Sequence, residues 1–148
     1  MPQTSENAIH LQPPAPAERP VILIVDDEPS VRALVEAALS IRRNHYTVVQ
    51  AGNGTEALEL AGRQLPDLVL LDVGLPDLDG FSICQALKTN PITAHALVVM
   101  LTAMNLPSDR ARATEVGADG YIVKPFSPRG LIALLEEKLA RFATPSSK

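Results

Sequence analysis

Five short apolar runs punctuate the chain: Val21 to Val25, Tyr46 to Gln50, Asp67 to Asp72, Ala96 to Thr102 and Gly120 to Lys124. Most are continuously apolar, the pattern of strands covered on both faces. Helical spacing follows each run. Val31, Leu34, Val35 and Ala38 repeat at i, i+3, i+4 and i+7, as do Gly80, Ile83, Cys84 and Leu87. Asn53 with Glu56 three residues later has the form of a capping box before a helix from Gly54 to Gln64. Ser127-Pro128 reads as N-cap and first residue of a last helix running to Phe142, and Gly117 suits a helix C-terminal stop. From Ser108 to Val116 the apolar residues are mostly alanine among Asp109, Arg110, Arg112 and Glu115. That pattern predicts a helix with little to bury, a candidate mobile element. Strand and helix alternating five times predict an α/β fold: a parallel sheet with right-handed crossovers and helices on both faces. Ligands of such sheets sit outside the carboxyl ends of the strands, at the switch point.

The ends of the chain read differently. Residues 1–19 form a proline-rich lead-in expected to be disordered, with Pro13, Pro14 and Pro16 favouring an extended chain. Residues 20–142 are the expected domain, and 143–148 a short tail. The length of 148 residues suits one domain, and 46% hydrophobic with 20% charged residues suits a globular core. With 3% aromatics, aliphatic side chains must fill it. No apolar run can span a bilayer, and no signal sequence opens the chain, so a cytoplasmic location without membrane association is expected. Cys84 is the only cysteine, which excludes an internal disulfide and argues against a cysteine-based zinc site. A formal net charge of −4 argues against direct nucleic-acid binding by this segment.

The candidate chemistry gathers at the strand ends. The first strand ends in Asp26-Asp27-Glu28, the third in Asp72, the fourth in Thr102 and the fifth in Lys124-Pro125. One such aspartate is commonly a helix cap. Three converging at one edge would repel each other, and Lys124 supplies one positive charge. A hard divalent cation completes the balance, and Mg²⁺ takes carboxylates, carbonyls, waters and phosphate oxygens. A carboxylate beside Mg²⁺, a lysine and a hydroxyl makes a phosphoryl-transfer site: an Asp oxygen attacks phosphorus while the cations neutralise the phosphoryl oxygens.

The segments Ile24-VDDEP-Ser30, Leu70-LDVGLPDLDG-Phe81, Val98-VMLTA-Met104 and Gly117-ADGYIVKPF-Ser127 together resemble the receiver domain of two-component response regulators. The resemblance runs from Pro20 to Phe142. It implies a flavodoxin-like, doubly wound three-layer sandwich with five parallel strands in the order 2-1-3-4-5. It makes Asp72 the phosphoryl acceptor, with Asp27, Asp26 and Asp72 and the backbone carbonyl of Gly74 as ligands of Mg²⁺, for which Mn²⁺ can substitute. Thr102 and Lys124 would bind the phosphoryl group, and Thr102 with Tyr121 would form the switch. By its residue type alone, Tyr121 reads as a half-buried strand residue with its hydroxyl in water. Glu28 is expected to point into the following turn, and Lys124-Pro125 to be cis. Gly74 and Met104 occupy positions that in the family modulate access of hydrolytic water, and Ala103 leaves room for phosphate. The donor would be a sensor histidine kinase or a histidine phosphotransfer protein. The output would pass to a downstream protein or domain through the face of the Ser108–Val116 helix, the fifth strand and the last helix. Asp109, Arg110, Glu115, Asp119 and Arg129 retain part of a symmetric dimer pattern there, while Gly130 and Leu134 break it, so a mostly monomeric unphosphorylated chain is expected.

Other readings are weaker. A haloacid-dehalogenase-type phosphatase would carry a second Asp where Gly74 stands. A phosphorylation-independent pseudo-receiver would lack a ligand, and none is missing. A flavin or dinucleotide site needs a glycine-rich loop where Asp26-Asp27-Glu28-Pro29 stands. Gly52 to Thr55 lacks the lysine of a phosphate loop and reads as a turn. His10, His45 and His95 lack metal-ligand spacing, and Cys84 reads as packing. The expected protein is a switch that catalyses only its own phosphoryl transfer and dephosphorylation, not a turnover enzyme.

Overall fold

A computed structural model describes residues 19–40, 45–103 and 107–140. Strands β1 (Val21–Val25), β2 (Thr47–Ala51), β3 (Leu68–Asp72), β4 (Leu97–Thr102) and β5 (Gly120–Val123) alternate with helices α1 (Pro29–Leu39), α2 (Gly54–Gln64), α3 (Gly80–Thr89), α4 (Pro107–Glu115) and α5 (Pro128–Lys138). All the strands are parallel, in the order β2-β1-β3-β4-β5. The expected five-strand, doubly wound order is therefore present.

Alternate residues along the central strands build two cores. Leu23, Val25, Val69, Leu71, Val98 and Met100 meet Ala57 and Ala61 of α2, Phe81, Ile83, Cys84 and Leu87 of α3, and Ala113 of α4. Ile22, Ile24, Leu68, Leu70, Val99 and Leu101 meet Val35 and Leu39 of α1 and Leu131, Leu135 and Leu139 beside α5. Three layers result. The central strands are apolar throughout because both faces are covered, and β3 is buried along its whole length. The two edge strands differ: every residue of β5, and all of β2 except Ala51, is half-buried.

Local signals fix the helix ends. Asn53 accepts from the Glu56 amide at 2.8 Å, but Glu56 returns its bond to the Gly52 amide, one residue earlier than a capping box places it. Ser127 accepts from the Gly130 amide at 2.9 Å. Gly117 follows α4 with φ of +89°, a left-handed conformation that favours glycine. The second strand lies one residue later than its apolar run, because Tyr46 packs against the α1/α5 core before pairing with β1 begins at Thr47. The last helix is continuous to Lys138, with Leu139 as its C-cap. Phe142, the lead-in before Arg19, the tail 143–148, His10 and Met104 lie outside the described residues. Among the described residues no helix is long and apolar enough to cross a membrane.

Candidate functional site

The chain leaves β1 for β2 on one side and returns to β3 on the other, so the sheet reverses direction between β1 and β3. A crevice opens there at the carboxyl ends of the strands. Val25 and Leu71 are paired in register, which sets Asp26 beside Asp72. Both are buried, at 0% and 6% exposure, while Asp27 is exposed. One carboxylate oxygen of each of Asp26, Asp27 and Asp72 lies within 4.8 Å of the others.

Lys124 approaches from the edge of the sheet. Its amide donates to the Thr102 carbonyl at 2.7 Å, continuing the β4–β5 ladder, and the Lys124-Pro125 peptide is cis, as expected. Its Nζ lies 2.9 Å from Asp26 Oδ2, 3.5 Å from Glu28 Oε1 and 3.7 Å from Asp72 Oδ1. Glu28 thus corrects one expectation: its side chain is not turned into the following turn but reaches the ammonium. Glu28 is the N-cap of α1 without a side-chain cap bond, so its carboxylate is available to the nearest cation.

The electrostatics follow from this crowding. Burial raises the Asp72 carboxyl above its ordinary 3.8, and the charge of Asp26 raises it further; the Gly74 amide and Lys124 pull it down without cancelling the rise. Burial alone would lower the Lys124 ammonium, but contact with Asp26 and the charges of Asp72, Asp26 and Glu28 raise it. The site therefore holds three carboxylates against one firmly protonated lysine. Asp26 Oδ1 accepts from the Glu28 amide at 2.9 Å. Asp26 Oδ2 is buried and pairs with the Lys124 ammonium at 2.9 Å. Three carboxylates with oxygens within 4.8 Å of one another and one ammonium beside them are what a small hard cation fits, so the residues present suit Mg²⁺.

Thr102 is buried at the end of β4, and its side chain hydrogen-bonds with Tyr121. Tyr121 packs against the α2/α3 core, and the Arg110 guanidinium lies 4.9 Å over its ring. This gives the half-buried Tyr121 a neighbouring side chain as a partner for its hydroxyl.

The chain belongs to the response regulator receiver domain family. The family profile matches residues 22–136. A probable transcriptional regulator, ycf27, of Porphyridium aerugineum is 44% identical over 126 residues, covering 85% of this chain and 50% of that protein. The alkaline phosphatase synthesis transcriptional regulatory protein PhoP of Bacillus subtilis is 41% identical over 129 residues, covering 86% and 52%. The chemotaxis response regulator CheY4 of Vibrio cholerae superposes with a TM-score of 0.75 at 32% identity, covering 82% of this chain and 99% of that one. The chain spans about half the length of the curated relatives it matches. It is a receiver domain of two-component signalling, and receiver domains of this family work with histidine kinases.

Four residues around this receiver site were not found in the sequence. Arg32 of α1 donates from Nη1 to the Asp26 carbonyl at 2.6 Å and from Nε to Gln50 at 3.1 Å, bracing the end of β1. Asp77 binds the start of α2, and Asp79 pairs with Arg112 of α4. No local pattern announces these contacts, because each joins residues brought together by the sheet. Asp119 also makes contacts within the chain that its sequence position does not announce. Its Oδ2 pairs with Lys88 at 2.7 Å and accepts from the Val98 amide at 2.8 Å. Cys84 is buried with its thiol pushed up to about 11, chiefly by burial, in keeping with packing.

Proposed function

We propose that Asp72 accepts a phosphoryl group from a phosphohistidine of a sensor histidine kinase or histidine phosphotransfer protein, with Mg²⁺ held by Asp26, Asp27, Asp72 and the Gly74 carbonyl. The observation that carries this reading is the convergence of three carboxylates within 4.8 Å beside one lysine at the sheet's switch point. Mg²⁺, or Mn²⁺ in its place, would supply positive charge to the phosphoryl oxygens as the transfer proceeds.

The chain's own residues do the rest. A carboxylate oxygen of Asp72 attacks phosphorus and forms an acyl phosphate, while the electron pair of the breaking bond leaves with the donor. Lys124, paired across the site, stays an ammonium and neutralises a phosphoryl oxygen. The Thr102 hydroxyl donates a hydrogen bond to the same group. Donation toward the phosphoryl group draws Thr102 inward, and Tyr121, its present partner, follows. The face of α4, β5 and α5 would then change for a downstream protein or domain. Gly74 supports the signalling role over a phosphatase: the second acidic group that a phosphomonoesterase of the Asp-nucleophile type needs has no counterpart there. The chain in this reading is a cytoplasmic switch that turns over only its own phosphate. It is mostly monomeric when unphosphorylated, with an acidic balance that disfavours nucleic acid on this segment. Residues 20–142 form the receiver unit, flanked by the lead-in 1–19 and the tail 143–148.

The test is labelling with a small acyl phosphate in Mg²⁺. Wild-type chain should acquire one base-labile phosphate and Asp72→Asn none. Equal labelling of the two would refute the assignment.

A further inference from the structure

The loop from Val73 to Asp79 begins at the acceptor and ends at the next helix. Its first residues bear on Asp72 directly: the Gly74 amide donates to Asp72 Oδ1 at 3.2 Å. Its last residue, Asp79, caps α3 by accepting from the Phe81 amide at 3.2 Å. Midway, Asp77 reaches out to a different element. Its Oδ1 accepts from the Gly54 amide at 2.8 Å, and its Oδ2 from the Thr55 amide at 3.0 Å and the Thr55 hydroxyl at 2.8 Å.

Asn53 accepts only from the Glu56 amide, so the Gly54 and Thr55 amides of the first turn of α2 take Asp77 as their acceptor. The loop and helix also abut closely. A Cβ on Gly54 would lie 2.8 Å from Leu78 Cβ and 2.7 Å from Ile83 Cδ1. Val73 and Leu75 of the loop pack against the α2/α3 core, but Gly74, Pro76, Asp77 and Leu78 are exposed, and a Cβ on Gly74 would meet nothing within 4 Å. Burial therefore holds only part of its course. The bonds to Asp77 are charge-assisted and come from the positive end of a helix. The same bonds hold its carboxyl down at about 2, so the anchor stays ionised at neutral pH.

We propose that Asp77 is a positioning residue of the Asp72 site: by tying the middle of the acceptor loop to the first turn of α2, it keeps the Gly74 amide on Asp72 Oδ1 and so orients the carboxylate that binds the cation and takes the phosphoryl group. This deepens, and rests on, the reading of Asp72 as the acceptor. Without the tie, the exposed loop moves, the Gly74 amide leaves the carboxylate, and Asp72 no longer meets Asp26 and Asp27 in one arrangement.

The experiment uses the full chain and two readouts that do not depend on phosphorylation. Calorimetric titration with MgCl₂ should show Asp77→Ala binding about tenfold more weakly than wild type, the low end for outer groups that orient metal ligands. Amide exchange without metal should show faster exchange at Gly74. Asp77→Asn retains an oxygen for the Gly54 amide and should fall between the two. A loss of thermal stability with Mg²⁺ affinity and Gly74 exchange unchanged would reduce Asp77 to a helix cap and overturn the proposal. If Asp77→Ala does not fold, Thr55→Val, which removes only the hydroxyl bond, must shift Mg²⁺ affinity in the same direction; no shift overturns the proposal equally. Wild type measured alongside separates the two ideas. No Mg²⁺ binding there refutes the reading of the acidic cluster and this proposal with it. Binding by wild type that the variants match refutes the anchor alone.

Discussion

The two sides of the site are built differently. Asp26 and Asp72 end β1 and β3, strands at the centre of the sheet whose apolar residues are covered on both faces. Tyr121 lies on the edge strand β5 and Lys124 just past its end, and the neighbouring helix α4 buries only Ala113, while Thr102 ends the buried strand β4 beside them. In α3, by contrast, Gly80, Phe81, Ile83, Cys84 and Leu87 are all buried. Mutually repelling charges sit where packing is dense enough to hold them together. Tyr121, which would report on a phosphoryl group through Thr102, sits where few buried contacts oppose a shift. A receiver needs both conditions, and one sheet supplies them by placing one set at its middle and the other toward its edge.

The largest test of this contrast is mechanical. Leu70, buried in β3, should cost about 2–5 kcal/mol when cut to alanine, through lost burial and the cavity left behind. Ala111→Gly, on the exposed face of α4, should cost about 1 kcal/mol, the difference in helix propensity alone. Urea unfolding measures both, and equal losses would erase the distinction between centre and edge.

The second test concerns the strain among the carboxylates. Asp72 is held above 3.8 in the folded chain, so the folded state binds that proton more tightly than the unfolded one. Stability therefore falls as pH rises from about the unfolded value through the folded one, and the penalty is complete once Asp72 is ionised in the fold. Asp72→Asn should melt higher than wild type at neutral pH, and the advantage should vanish as the pH falls below 3.8. Mg²⁺ should stabilise the wild type by mass action, about 2.7 kcal/mol at a concentration a hundred times its dissociation constant, and so raise its melting point. A neutral-pH melting point of Asp72→Asn at or below that of wild type would show that the cluster is not strained.

Smaller effects are expected on the reporting side. Tyr121→Phe removes the hydrogen bond to Thr102 and should cost about 1 kcal/mol. Its larger consequence should be that phosphoryl mimicry by beryllofluoride no longer alters amide exchange in α4 and β5; an unaltered response would remove Tyr121 from the switch. Least of all, Arg112→Ala breaks an exposed pair with Asp79 and a contact 4.5 Å over the Phe81 ring. The ion pair is worth about 0–1 kcal/mol. Global stability should barely change while exchange in α4 quickens, and an unchanged α4 would mean that Arg112 does not tether it.

Much of this was legible in the residues themselves. The five strands, the caps at Asn53 and Ser127 and the left-handed Gly117 are decided within a few residues by covered apolar runs, short polar side chains and a missing Cβ. The gathering of Asp26, Asp27, Asp72, Thr102 and Lys124 at one edge was legible too, because every strand of a parallel sheet points its carboxyl end the same way. Strand order came from family resemblance, since periodicity says what a strand covers and not which strand lies beside it. Only the tertiary structure decided the rest. It made β2 and β5 the half-buried edges, turned Glu28 toward Lys124, set Asp119 on Lys88 and the Val98 amide, and joined Arg32 to Asp26, Asp77 to α2 and Asp79 to Arg112. Most of these contacts span twenty or more residues of chain. A side chain's partner at that separation is fixed by register and crossover geometry, which the local pattern of residues does not carry.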